Sequence, residues 1–219
     1  MSTQSKLTLL TIRHGETELN LAKRYQGHGD SPLTQNGRRQ VSALGHRMAK
    51  MTFGTLISSD LGRAQETAAI IAECTGHSVK TDSRLRERNY GVLEGLRVSD
   101  IKAGHSEVLE RLDANDPDYI IPEGESHRQH YQRNVAVFEE LQSGISDGRV
   151  ALVVHGGVLD SLFRYVAQLP LDQPRCFITP NASLTIVSHG IFYGTMRWVI
   201  EAWGDTAHLD GIGQNFGLG

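Results

Sequence analysis

Hydrophobic positions in this chain fall into short unbroken runs and into stripes at steps of three and four. Residues 7–12 form an apolar, β-branched run that stops at Arg13-His14-Gly15, the pattern of a short buried strand. Behind Thr34, a candidate N-cap, Val41, Leu44, Met48 and Met51 share one helix face. Residues 55–58 predict a second strand. Asp60 is then expected to cap a helix whose stripe is Leu61, Ala64, Ala68 and Ile71. A less regular strand is expected to close at Leu85. Ser126 opens a long helix with Tyr131, Val135, Phe138 and Leu141 inward. Residues 150–154 are the plainest buried strand, and a helix follows His155-Gly156-Gly157 through Gln168. Two late strands, 184–188 and 196–202, have turn residues between them.

Strands alternating with helices predict an α/β fold with a mostly parallel sheet and helices on both faces, one domain over residues 1–219. Residues 95–125 break the rhythm. They are polar, hold two short helical patterns (98–103 and 108–112) and end in the turn-rich IIPEGES. So short a segment rarely folds alone, so it is expected as an insertion over the C-terminal edge of the strands, shaping the substrate pocket. The Gly-rich tail beyond His208 is expected to be loosely held.

Composition narrows the picture. The chain has 219 residues, with 22 Lys and Arg against 25 Asp and Glu, a formal charge of −3. That length suits one domain with no disulfide or metal staple. No long basic run is present, so nucleic acid is not an expected partner, and any bound anion needs a local cluster of positive charge. Cys74 and Cys176 fit neither a disulfide framework nor a metal-ligand spacing and are expected as buried or half-buried thiols. LTLLTI is too short for a signal segment and no run reaches 18 apolar residues. The expectation is a cytoplasmic protein with no membrane contact. A homodimer is left open.

The chemically capable residues sit at strand ends. Arg13 and His14 follow the first strand, Ser59 and Arg63 the second, Glu87 follows Leu85, and His155 follows residues 150–154. Ligands of parallel α/β sheets bind outside the carboxyl ends of the strands, so these groups should converge. Arginine forks match phosphate oxygens, and two of them neutralise a dianion. A neutral imidazole is a competent nucleophile, and nearby guanidinium groups keep it neutral. The Gly15 carbonyl is a candidate acceptor to fix its tautomer. Glu87 could protonate a departing alcohol and later take a proton from water. This scheme needs no metal.

LLTIRHGETELN, carrying these first residues, resembles the signature of the histidine phosphatase superfamily, also called phosphoglycerate mutase-like. The likeness continues through YQGHGDSPLTQNG, SSDLGRAQET, LRERNYGVLEG, PEGES and VVHGG. The resemblance implies that His14 is the phospho-accepting nucleophile, that Arg13, Arg63 and His155 form the phosphate pocket, and that Glu87 is the proton donor. It implies substrate-binding positions at Asn20, Gln26, Gly27 and Gly156. Mutases of the family share Glu87-Arg88-Asn89-Tyr90-Gly91, then carry a basic, tryptophan-containing segment and a proline-rich loop. This chain has RLDANDPDYIIPEGES, acidic and without tryptophan, similar to small bacterial-type phosphatases, as is WGDTAHL. The implied activity is metal-independent hydrolysis of a small phosphorylated metabolite with no cofactor. A 2,3-bisphosphoglycerate-dependent phosphoglycerate mutase is the alternative. A non-catalytic phospholigand-binding module would need the arginines but neither His14 nor Glu87.

Other residues have plainer readings. His105, His127 and His130 lack a further metal ligand and are expected at the surface. Arg86, Arg88 and Arg97 are weighed as contacts for an anionic substrate tail against solvated positions. Asp30 and Thr34 fit turn and cap geometry, Glu16 and Thr17 belong to the first loop, and Trp198 and Trp203 are packing residues.

Overall fold

The apolar runs become a six-stranded sheet in a computed structural model that describes residues 4–145 and 148–213. The strands are β1 (Gln4–Arg13), β2 (Thr55–Ser58), β3 (Val79–Thr81), β4 (Gly148–Val154), β5 (Leu184–Phe192) and β6 (Thr195–Asp205), in the order β3-β2-β4-β1-β5-β6. The first four are mutually parallel, whereas β5 and β6 run antiparallel to β1 and to each other respectively. The late pair has no crossover helix. Tyr193 and Gly194, both at positive φ, turn it as a two-residue hairpin. On β6 the pairing shifts twice, leaving Glu201 as an extra residue between Ile200 and Ala202.

The period-two alternation of β1 and β4 splits the core between two faces. Leu10, Ile12, Ala151 and Val153 pack against Val41, Leu44 and Met48 of α2 (Gln35–Met48) and Ala64, Ala68 and Ile71 of α3 (Gly62–Thr75). Leu7, Leu9, Leu152 and Val154 pack on the other face against α6 (His127–Gly144) and α7 (Gly156–Ala167). The short α1 (Glu18–Leu21) follows the first loop. In the 95–125 segment, α4 (Val98–Gly104) and α5 (Ser106–Asp113) bury Ile101 and Val108 with Leu93 and Ile121, and Tyr25 and Tyr90 pack against them.

Several expectations are corrected. Leu85 closes a 3-10 turn, Ser83–Leu85, not a strand; the strand is the three residues of β3. Asp60 does not cap α3, because its carboxylate is taken by Arg86 at 2.6 and 2.7 Å. The N–H of Arg63, in the first turn of α3, is accepted instead by Asp30 at 3.2 Å. The buried face of α6 is His130, Asn134, Val137 and Phe138, with Tyr131, Val135 and Leu141 at its margins. Cys176 is exposed, whereas Cys74 is half-buried. The tail is held as far as Gly213: Leu209 is buried, and the Gly213 carbonyl accepts from Gln40 and Asn36. The expectation for residues 214–219 lies outside the described residues.

Candidate active site

Because β1 and β4 pair with Arg13 opposite Val154, His14 and His155 leave the sheet side by side. Their ring centroids are 5.2 Å apart. The His14 N–H still donates to the Val154 carbonyl at 3.0 Å, fixing the backbone where the strand ends. Beyond β2, Ser59 Oγ lies 2.8 Å from His155 Nε2. Arg63, in the first turn of α3, is 1% exposed and donates through Nη1 and Nη2 to the carbonyls of Gly29 (3.0 Å) and Gly27 (2.8 Å). Arg13 Nη1 donates to the Thr179 carbonyl at 2.6 Å. Arg13, His14, Arg63, Glu87 and His155 are all buried.

His14 Nδ1 is 2.8 Å from the Gly15 carbonyl. A carbonyl only accepts, so Nδ1 carries the proton, and in the neutral ring Nε2 keeps a lone pair. Burial, then the charges of Arg63 and Arg13, push the His14 pKa well below the ordinary histidine value. Burial and Arg63 lower His155 in the same way. Burial and the neighbouring Arg175 bring Arg13 down to about 10, so it stays charged near neutrality. Arg13 Nε, Arg63 Nε and His155 Nδ1 are buried with no hydrogen-bond partner among the described residues. Buried polar atoms are nearly always paired, and an acceptor-rich anion held among these three residues would satisfy donors of this kind.

Asn20 is tied to the His14 backbone through Asn181, whose Nδ2 donates to both. The Asn20 Oδ1 accepts from Thr17 N (3.3 Å), Thr17 Oγ1 (3.1 Å) and Asn181 Nδ2 (3.1 Å), so its Nδ2 is the end left to donate. Gln26 Oε1 lies 3.0 Å from the same Thr17 Oγ1, whose single proton is shared between the two amide oxygens. Gly27 has φ +55°, and a Cβ there would lie 2.0 Å from Glu94 Oε1. Only glycine lets this turn bring its carbonyl to Arg63. Gly156 opens α7, and its carbonyl accepts from Arg175.

Glu87 is 5% exposed, and its two oxygens accept the N–H groups of Arg88 (2.7 Å) and Gly157 (3.0 Å). Beside it lies a cleft of about 340 Å³ whose walls include Tyr25, Arg88, Tyr90, His130, Asp160 and Arg175. His130 is not at the surface: it is 1% exposed, hydrogen-bonds Asn134 and lies 3.9 Å from Glu87 Oε1. His127 turns to Asp160 instead. Among the described residues no three His, Cys, Asp or Glu side chains are grouped to hold a metal. Of the arginines weighed for a substrate tail, Arg88 lines the cleft, Arg86 is paired with Asp60, and Arg97 lies apart beside Leu21.

Asn181, Asp160 and Arg175 escaped the sequence reading. Asn181 and Arg175 lie on the irregular connection before β5, where no periodicity flags them. Asp160 is a single carboxylate within an apolar helix.

The Yersinia pestis (strain Pestoides F) protein named "Probable phosphoglycerate mutase GpmB" is 38% identical over 205 residues, 93% of this chain and 95% of that protein. The structure of a mycobacterial glucosyl-3-phosphoglycerate phosphatase with VO3 superposes with a TM-score of 0.77 at 33% identity, covering 90% of this chain and 98% of that one. Bacillus stearothermophilus YhfR gives 0.80 at 30% identity, covering 93% and 99%. The profile of the histidine phosphatase superfamily (branch 1) matches residues 9–206, and the chain belongs to that family.

Proposed function

We propose that the protein is a metal-independent phosphomonoesterase that works through a phosphohistidine at His14. The observation that carries this reading is the neutral His14 ring, with its proton fixed on Nδ1, beside two buried guanidinium groups. In the first step the Nε2 lone pair bonds to phosphorus, the phosphorus–oxygen bond to the alcohol breaks, and Glu87 gives the leaving oxygen its proton. In the second, water attacks the phosphohistidine, Glu87 takes the water's proton, and Nε2 leaves with the electron pair. Arg13 and Arg63 supply positive charge that offsets the negative charge spread over the phosphoryl oxygens, and Asn20 and His155 add polar contacts. The substrate is a small phosphorylated metabolite whose alcohol occupies the cleft beside Glu87.

Hydrolysis rather than transfer is supported by the cleft walls, where Asp113 and Asp160 stand in place of an all-basic lining. The mutase reading draws on the name of the Yersinia relative and on Arg88 and Arg175 in the same walls. Labelled phosphate donor separates the two. The expected result is an acid-labile, base-stable label that disappears in His14→Ala, with inorganic phosphate released in the presence of chelator. Interconversion of phosphoglycerates primed by 2,3-bisphosphoglycerate, faster than phosphate release, would favour the mutase.

A further inference from the structure

Glu87 lies on an irregular segment between two 3-10 turns, Ser83–Leu85 and Gly91–Leu93. A proton donor misplaced by about 1 Å can cost on the order of 100-fold in rate, so something must fix this segment. On the phosphate side, Gly157 N–H holds the carboxylate and His28 Nε2 lies 3.0 Å from the Glu87 carbonyl. The backbone on both sides of Glu87 is held by Arg133, from the middle of the 18-residue α6. Its Nη1 donates to the carbonyls of Arg84 (2.8 Å) and Arg86 (2.7 Å), and its Nη2 to the carbonyl of Glu87 itself (2.7 Å). The remaining Nη2 and Nε donors clasp the two oxygens of Glu125 at 2.6 and 3.1 Å. All five guanidinium N–H groups are thereby used.

Glu125 returns to the same segment from the other side. Its Oε1 also accepts the N–H of Asn89 at 2.8 Å, its N–H donates to the Asn89 carbonyl, and its carbonyl accepts from Arg88 Nε. Two residues therefore grip residues 84–89 on both sides of the carboxyl group. We propose that Arg133, held in its fork geometry by Glu125 of the PEGES motif, is a positioning residue for Glu87. The inference rests on the phosphatase reading above, in which Glu87 protonates the leaving alcohol.

A merely structural arginine would, when replaced, lower stability and slow every substrate alike. A positioning arginine gives a different signature, because an alkoxide needs a well-placed acid while a nitrophenolate leaves tolerably without one. Arg133→Gln is expected to lose about tenfold or more in kcat on an alkyl phosphate and less than about threefold on nitrophenyl phosphate, with formation of the phosphohistidine from the aryl ester preserved. Glu125→Gln, which keeps an acceptor for Asn89, should show the same bias more weakly. Arg133→Lys, which still offers three donors to three carbonyls, should recover part of the alkyl rate. In the Glu87→Gln background, Arg133→Gln should add almost nothing on the alkyl ester, since both changes remove one function. Equal losses on both esters, or full additivity with Glu87→Gln, would overturn the inference while leaving the phosphatase reading standing. A wild-type chain inert toward both esters, with no phosphohistidine, would remove that reading and the inference with it.

Discussion

At the scale of single residues, Gly157 is the tightest constraint on the acid side of the pocket. Its N–H holds one oxygen of Glu87, and a Cβ built on it lies 2.2 Å from Glu87 Oε1 and 2.9 Å from His130 Cε1. Gly157→Ala must therefore displace the carboxyl group. His130 is buried and bonded to Asn134, so overpacking, at about 1–3 kcal/mol, outweighs the roughly 1 kcal/mol by which alanine is better than glycine in a helix. The expected outcome is a modestly lowered thermal midpoint, with cleavage of an alkyl phosphate down by about tenfold or more. Paired thermal and kinetic measurements check it. At this scale the sequence was informative wherever chemistry met a strand end, as at His14, Arg63 and His155. It was silent where a residue acts through a neighbour, as Asn181 does on Asn20, because such pairings exist only after folding.

At the scale of elements, α6 shows what periodicity can and cannot reveal. Its start was legible: Ser126 Oγ accepts from Gln129 N at 3.1 Å and Gln129 Oε1 accepts from Ser126 N at 2.8 Å, a reciprocal capping box. Ser126→Ala should cost about 1 kcal/mol of stability, read as a lower urea midpoint. The inward face was misjudged by one position, because a hydrophobic stripe cannot announce His130 and Asn134 as buried residues. They are buried because they have partners: His130 with Asn134, and Asn134 with Ser161 at 3.0 Å. The same reasoning explains Leu85. The apolar signal marked a core position correctly, but packing against α6 and α7 placed it in a 3-10 turn.

At the scale of the whole molecule, the buried histidines make stability depend on pH. Burial first, then neighbouring cationic groups, hold His14, His130 and His155 well below their ordinary value, and half-buried His208 is lowered too. Unfolded, each returns to about 6.5. Below that pH the unfolded chain takes up protons that the folded chain refuses, so stability is complete above about 6.5 and is lost as pH falls toward the folded values. With three fully buried rings the limiting slope is about 4 kcal/mol per pH unit. Carboxylates with lowered values, Asp205 at about 2 among them, act only below about pH 4. Urea midpoints should be flat between pH 7 and 8 and fall steeply between 6.5 and 5. A midpoint flat down to pH 5 would mean that the rings titrate freely in the folded protein. The family and the alternation of strands and helices were legible at this scale, whereas the exact pairing of β6 was not, since a bulge leaves no hydrophobic signature.

That bulge bears on how the molecule behaves in a crowd. The two outer strands of an open sheet offer unpaired backbone groups on which another polypeptide can add itself, the first step toward insoluble fibrous assemblies. Here one border, β3, is only three residues long, too short to template much. The other, β6, is eleven residues long, but its pairing is broken at two places, one of them marked by Glu201. A straight strand arriving at that border can pair in register only along residues 195–200, beyond which the bulge and the exposed charge of Glu201 stop the hydrogen-bond ladder. The irregularity thus shortens the stretch of border on which a neighbouring polypeptide could assemble.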